Sequence, residues 1–161
     1  MAWVIMLLIV LPFGFVLLYG APYLPTRKRP ANMALDMLKL KKGDVFVDPG
    51  CGDGAVLIEA AKRGYICYGY ELNPFICFVA KWRTRKYKKS VHIYCRNFWN
   101  VTLPKNTQGV FVFLLDKYMV RFDKKMSAEL PRGAKLVSYT FQIPDKSSIK
   151  ERQALYLYKY E

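Results

Sequence analysis

The chain is poor in acid and nearly free of histidine. Its 161 residues hold 12 Asp and Glu against 26 Lys and Arg, a formal net charge of +14, and its one histidine is His92. The four cysteines, Cys51, Cys67, Cys77 and Cys95, form no C-x-x-C pair. A zinc site needs three or four clustered His, Cys or carboxylate ligands, so no metal ligand is assigned. Cys67 and Cys95 lie in apolar, strand-like runs, where cysteine behaves as a small hydrophobe. All four are read as reduced thiols in a reducing compartment. No internal repeat and no low-complexity segment is present, and the length allows one core and excludes two.

Charge is also missing from the first 24 residues. Residues 2–19 are almost wholly apolar, broken by Pro12 and Gly14, with Trp3, Tyr19 and Tyr23 near the ends. Such a run is long enough for a short transmembrane helix with interfacial aromatics. It lacks the basic leader of a cleaved signal peptide. The cluster Arg27-Lys28-Arg29 follows it instead, which puts the remainder on the cytoplasmic or topologically equivalent side. Residues 1–24 are therefore expected to be a single-pass anchor, and residues 25–161 one soluble domain. A basic field beside an anchor points to anionic lipid before nucleic acid. Lys81, Arg83, Arg85, Lys86, Lys88 and Lys89, with Trp82 and Tyr87, form either a solvated face or a contact for lipid headgroups or an acidic partner.

Beyond the prolines Pro22, Pro25 and Pro30, apolar spacing predicts a helix over 31–41. Strands are expected at 45–47, 65–70, 91–95, 110–115 and 134–141, and a final antiparallel one at 154–160. Helices are expected at 55–63, 74–87 and 118–130, and 143–151 reads as irregular. The alternation is that of an α/β, doubly wound, Rossmann-like sheet.

Asp48 ends the first strand, and Gly50, Gly52 and Gly54 alternate before a helix. Glycines let a backbone turn sharply and approach a ligand, and the helix N-terminus adds free N–H groups. The dinucleotide fingerprint would place its third glycine at Ala55, which its G/A form accepts, so spacing alone leaves a dinucleotide open. The acids Asp48 and Asp53 weigh against a pyrophosphate and favour an aminoacyl group with its ammonium. Glu71 ends the second strand, where a carboxylate can bind both ribose hydroxyls. Asn97 follows the third strand and can pair with an adenine edge, while Phe98 or Leu72 can cover the ring.

The pattern Asp48-x-Gly50-x-Gly52-Asp53-Gly54 with Glu71-Leu72-Asn73-Pro74 resembles a class I, seven-strand S-adenosylmethionine-dependent methyltransferase. More narrowly, the chain resembles the membrane-anchored protein-lysine methyltransferases related to the mitochondrial enzymes that modify the ATP synthase c-subunit and the adenine nucleotide translocase, and their small prokaryotic relatives. The narrower features are the apolar anchor, Pro25-Thr26, Asn97-Phe98-Trp99 and Ser138-Tyr139-Thr140-Phe141-Gln142-Ile143-Pro144. The resemblance implies strand order 3-2-1-4-5 plus the final antiparallel strand. It also implies S-adenosylmethionine held by Asp48, Gly50, Cys51, Gly52, Asp53, Gly54, Glu71, Leu72, Asn73, Asn97 and Phe98. Pro49 and Cys51 replace the Leu and Gly or Ser of the pattern, Asn97 replaces its acid, and the short tail predicts an incomplete last hairpin.

Methyl transfer from a sulfonium needs an in-line, dry approach, and a lysine acceptor must first lose a proton that free lysine holds to pH ~10.4. Asp116, after the fourth strand, is the candidate catalytic acid, with a helix-cap role as the alternative. Thr26, Tyr118, Tyr139 and Phe141 are candidate substrate contacts. The expected reaction is lysine N-methylation of a membrane-associated protein. The alternatives are a lipid or small-molecule methyltransferase and an inactive cofactor-binding scaffold.

Overall fold

The five residues of β1 (Val45–Pro49) are buried without exception, which only a strand covered on both faces can sustain. The computed structural model that shows this describes Trp3 and residues 26–161. Elements follow in the order α1 (Lys28–Leu38), β1, α2 (Ala55–Lys62), β2 (Ile66–Glu71), α3 (Pro74–Thr84), β3 (Val91–Cys95), β4 (Thr107–Val112), α4 (Met119–Glu129), β5 (Lys135–Tyr139), β6 (Lys150–Arg152) and β7 (Leu155–Lys159). The seven strands form one sheet in the order β3-β2-β1-β4-β5-β7-β6. The first five are parallel, and β7 is antiparallel to both β5 and β6. The order reverses beside β1, so a crevice opens above the carboxyl ends of β1 and β4.

One sheet face packs Phe46, Cys67, Phe111 and Val137 against Leu35 and Leu38 of α1 and Leu57 and Ala60 of α2. The other packs Val47, Val110, Val112 and Leu136 against Met119, Phe122 and Met126 of α4. Phe98 and Trp99 join that second layer. Their ring centroids lie 4.4 Å apart, and Phe98 meets Phe122 edge-on at 6.0 Å.

Several expectations need correction. The last hairpin is complete: β6 is a three-residue strand paired with β7 through Lys150↔Leu157 and Arg152↔Leu155. Its residues are all exposed, so no apolar alternation marks it. The first helix begins at Lys28, not 31, because Pro30 falls in its first turn, where a missing N–H costs no intrahelical bond. The fourth strand begins at Thr107 and ends at Val112. Its polar start is tolerated because Thr107 Oγ1 donates to Pro104 O at 2.7 Å and Gln108 Oε1 accepts Val45 N–H at 2.7 Å. Cys95 is exposed, unlike Cys51, Cys67 and Cys77, and all four are free thiols. Among the described residues no helix is long and apolar enough to cross a membrane. The expected anchor at 1–24 lies, apart from Trp3, outside the described residues.

Candidate functional site

The loop after β1 is hung on β2. Gly50 and Cys51 both donate their N–H to Tyr70 O, at 2.8 and 2.9 Å. Glu71, the next residue of β2, accepts Gly52 N–H on Oε2 at 3.0 Å and Asn73 N–H on Oε1 at 2.7 Å. The glycine loop, the end of β2 and the start of α3 thus meet at one carboxylate.

Gly54 N-caps α2 at φ 78°. A Cβ there would also meet Thr84 Cγ2 of α3 at 3.0 Å, so the position needs glycine for conformation and for closeness. Gly50 has φ 79°, and a Cβ there would meet nothing within 4 Å. Conformation alone therefore calls for glycine at Gly50, and the space beside it is open to a ligand.

Asp48 is 3% exposed. Burial pushes its carboxyl up to about 8, and the neighbouring Glu71 adds to the effect. Burial likewise raises Glu71, against the pull of backbone N–H donors from Asn73, Gly52 and Leu72. Two carboxylates therefore share a poorly solvated crevice in a chain of net charge +14. A cation placed there would draw Asp48 into its ionised form, whereas a pyrophosphate would face acids that already resist ionising.

Other assigned residues already have partners within the chain. Asp53 offers no free carboxylate: Oδ1 accepts Ala55 N–H at 3.1 Å, and Oδ2 pairs with Arg83 of α3. It clamps α2 to α3, and Arg83 leaves the basic run to do so. The Cys51 side chain lies in the core, beside Gly69, where an added Cβ would meet its Sγ at 2.8 Å. Burial and the charges of Asp48 and Glu71 raise its thiol well above the ordinary range. Asn73 is a helix cap, its Oδ1 accepting Phe75 N–H at 2.9 Å and Ile76 N–H at 3.2 Å. Asn97 Oδ1 accepts Trp99 N–H at 3.1 Å and caps a 3-10 turn over Phe98–Asn100. Phe98 packs with the second layer, and Leu72 is half-buried beside Glu71.

On the far side of the crevice a short 3-10 turn, Asp116–Tyr118, precedes α4. The Asp116 side chain makes no capping hydrogen bond there, and none caps α4. It lines an open cleft of about 700 Å³ with Gln142, Ile143 and Pro144. The cap alternative for Asp116 is thereby removed.

The opposite wall is a sharp turn after β5. Ser138 is fully buried and donates to Phe141 O at 2.5 Å. Thr140 holds φ 75° and donates its N–H to Ala154 O at 2.7 Å. Ile143 N–H reaches the Tyr158 hydroxyl at 3.0 Å. Tyr139 packs on Phe113 at 5.0 Å, Tyr118 lies 6.3 Å from Trp99, and Phe141 rests on the second core layer. Thr26 is half-buried just ahead of α1, which packs against α2, β5 and β7.

One residue of this wall and one that braces it have no local signal in the sequence. Gln142 falls within Ser138–Pro144, but nothing in one polar side chain marks it as cleft-lining. Asp123 looks like an ordinary helix-surface acid. It accepts Lys146 Nζ and the Tyr160 hydroxyl, each at 2.7 Å, and so ties the cleft wall to α4.

Residues 48–150 match the ANTKMT methyltransferase domain family. The chain is 31% identical over 127 residues to the human ATP synthase C-subunit lysine N-methyltransferase, covering 76% of this chain and 53% of that one. It is 34% identical over 127 residues to the mouse adenine nucleotide translocase lysine N-methyltransferase, covering 76% and 54%. A protein-lysine N-methyltransferase of Saccharolobus islandicus strain REY15A is 31% identical over 126 residues, covering 76% and 78%. The chain spans about half the length of the mammalian relatives. Among solved structures, a Salinibacter ruber RNA methyltransferase in complex with S-adenosyl-L-homocysteine superposes with a TM-score of 0.78 at 20% identity, covering 85% of this chain and 92% of that one, a likeness of fold. The glycine loop, the strand-end acids and the seven-strand order agree with these matches: the chain belongs to the ANTKMT methyltransferase domain family, an S-adenosylmethionine-dependent methyltransferase family whose named relatives are protein-lysine N-methyltransferases.

Proposed function

We propose that this chain transfers a methyl group from S-adenosylmethionine to a lysine of a membrane-associated protein, with the domain on the cytoplasmic or topologically equivalent side. The carrying observation is the pair Asp48 and Glu71 at the head of an open glycine cradle, at the crossover where β1 lies beside β4. The residues fit the cofactor. Asp48, ionised, and Glu71 would answer the ammonium of its aminoacyl group, Glu71 would accept from its ribose hydroxyls, and the open space beside Gly50 would admit backbone contact.

When bound, the cofactor supplies an electrophilic methyl on a sulfonium. The chain's own part is placement. The loop, fixed to Tyr70 O and Glu71, would hold the cofactor at the carboxyl end of β1. The turn Ser138–Pro144 and the 3-10 turn Asp116–Tyr118 form walls that direct an acceptor toward it. Asp116 orients the lysine amine and accepts its proton, since burial of an ammonium already favours release. Positioning of this kind accounts for much of the rate in a displacement without covalent enzyme chemistry.

Titration calorimetry of the full chain with S-adenosylmethionine, followed by radiolabelled methyl transfer into membrane fractions split into protein and lipid, tests the reading. Binding, and label recovered as methyl-lysine in protein, are expected. Absence of binding, or label confined to lipid, refutes it. Asp116→Ala is expected to keep cofactor affinity and lower turnover by about 10²-fold or more, the usual worth of a general base. Equal turnover would remove Asp116 from the chemistry.

A further inference from the structure

The outer face of α3 has a composition unsuited to water. Phe75, Phe78 and Trp82 recur at helical spacing and are 71%, 68% and 59% exposed. They lie on the side opposite the buried Cys77, Ala80 and Thr84. No described element covers them. A contiguous row of large rings on an amphipathic helix normally faces inward, and exposed apolar patches of this kind mark contact surfaces.

The charge around the row is of one sign. Lys81, Arg85, Lys86, Lys88 and Lys89 are all exposed, at the end of α3, in the 3-10 turn Arg85–Tyr87 and just after it. The Arg85 guanidinium lies 4.4 Å from the Trp82 ring centre, so cation and ring share one patch. From Leu72 to Leu115 the chain carries eight Lys and Arg and no Asp or Glu. Aromatic rings sitting at headgroup level with lysines and arginines around them are the composition of interfacial helices on anionic bilayers. An acidic protein partner would answer the charge and leave three rings without an apolar counterpart. A second copy of the chain would bring like charge against like charge.

We infer that the α3 face of Phe75, Phe78 and Trp82, with Lys81 and the basic residues 85–89, docks on the surface of an anionic phospholipid bilayer. This contact is separate from the N-terminal apolar run and independent of the proposed reaction. Helix α3 starts directly after Glu71-Leu72-Asn73, so lipid bound along it fixes the height of the crevice mouth above the membrane.

The test uses the full chain reconstituted in phosphatidylcholine vesicles carrying brominated acyl chains, with and without phosphatidylserine. The chain has three tryptophans, Trp3, Trp82 and Trp99, so Trp3→Phe is compared with Trp3→Phe/Trp82→Phe. Quenching at least about twofold greater in the first protein is expected in the phosphatidylserine vesicles, shrinking in high salt as screening requires. Equal quenching in the two proteins overturns the inference. So does Trp82 quenching of the same size without phosphatidylserine. Lys86→Glu/Lys88→Glu/Lys89→Glu, all at exposed positions, should abolish the preference for phosphatidylserine, and its retention would also overturn the inference. Loss of Trp82 accessibility to acrylamide with rising protein concentration in lipid-free solution would assign the face to a second copy instead.

Discussion

Asp48 sits where a carboxylate is poorly solvated, buried and beside Glu71, and its proton is held up to about 8 against an ordinary value of 3.8. The unfolded chain releases that proton near its ordinary value, while the folded chain keeps it. Between those values the folded state binds more protons, so this group takes stability away as pH rises. Without cofactor, the melting temperature is expected to fall between pH 5 and 8 through this group, and Asp48→Asn should flatten that fall in calorimetric scans. A cationic ligand needs the ionised form. Affinity for S-adenosylmethionine should therefore climb by up to about tenfold per pH unit below 8 and then level off. Asp48→Asn should lose both affinity and slope; a variant that keeps the slope would assign it to another group. The glycines separate two costs in the same loop. Gly54→Ala meets Thr84 as well as the strain of φ 78°, whereas Gly50→Ala at φ 79° meets nothing. Urea unfolding should show Gly50→Ala costing about 1 kcal/mol from the left-handed conformation alone and Gly54→Ala costing more. Gly50→Ala should be the more damaging to cofactor affinity, since its methyl enters the cradle.

Among the elements, α3 is placed by side chains at both of its ends. Asn73 caps its start, Thr84 fits beside Gly54, and Arg83 holds Asp53 across to α2. Asn73→Ala is expected to cost about 1 kcal/mol, the usual worth of a cap. Glu71 accepts the backbone N–H of residue 73, which alanine keeps, so cofactor affinity should stay within about twofold, both effects readable by calorimetry. This element shows what sequence can reveal. The strand, glycine loop, helix and second strand are legible because apolar runs, a glycine triplet and Pro74 mark them locally. The clamp is not, because Asp53 and Arg83 lie 30 residues apart and each reads locally as something else, a ligand contact and a lipid contact. Strand β6 is hidden for a related reason. Its three residues are exposed, and only pairing with β7 makes them a strand. Asp116 reads equally as cap or cleft residue in sequence, and the absence of any capping bond decides it.

The whole molecule divides its labour along the sheet. Strands β1 and β2 carry the glycine loop and Glu71 proposed to hold the cofactor, while the segments after β4 and β5 carry the cleft walls, and β1 and β4 are direct neighbours at the crossover. The cleft wall after β5 is held to α4 by one carboxylate. Asp123 of α4 accepts Lys146 Nζ and the Tyr160 hydroxyl together, each at 2.7 Å, and Lys146 also lies 3.6 Å from the centre of the Tyr160 ring. Burial and Asp123 push the Tyr160 hydroxyl well up from its ordinary value, so it stays a donor throughout the working pH range. Asp123→Ala removes the acceptor for both groups and leaves the fold's two core layers intact, at a cost of roughly 1–3 kcal/mol for the lost hydrogen bonds. The glycine loop, hung on Tyr70 O and Glu71, makes no hydrogen bond to this cluster. Cofactor affinity is therefore expected to stay within about twofold, while the acceptor KM rises and kcat falls, as expected when positioning is lost. Asp123→Asn keeps an acceptor oxygen and should recover most of kcat. If Asp123→Ala instead weakened S-adenosylmethionine binding as much as it slowed transfer, the two halves would not be separable and the cleft beside Asp116 would belong to the cofactor, not to the acceptor.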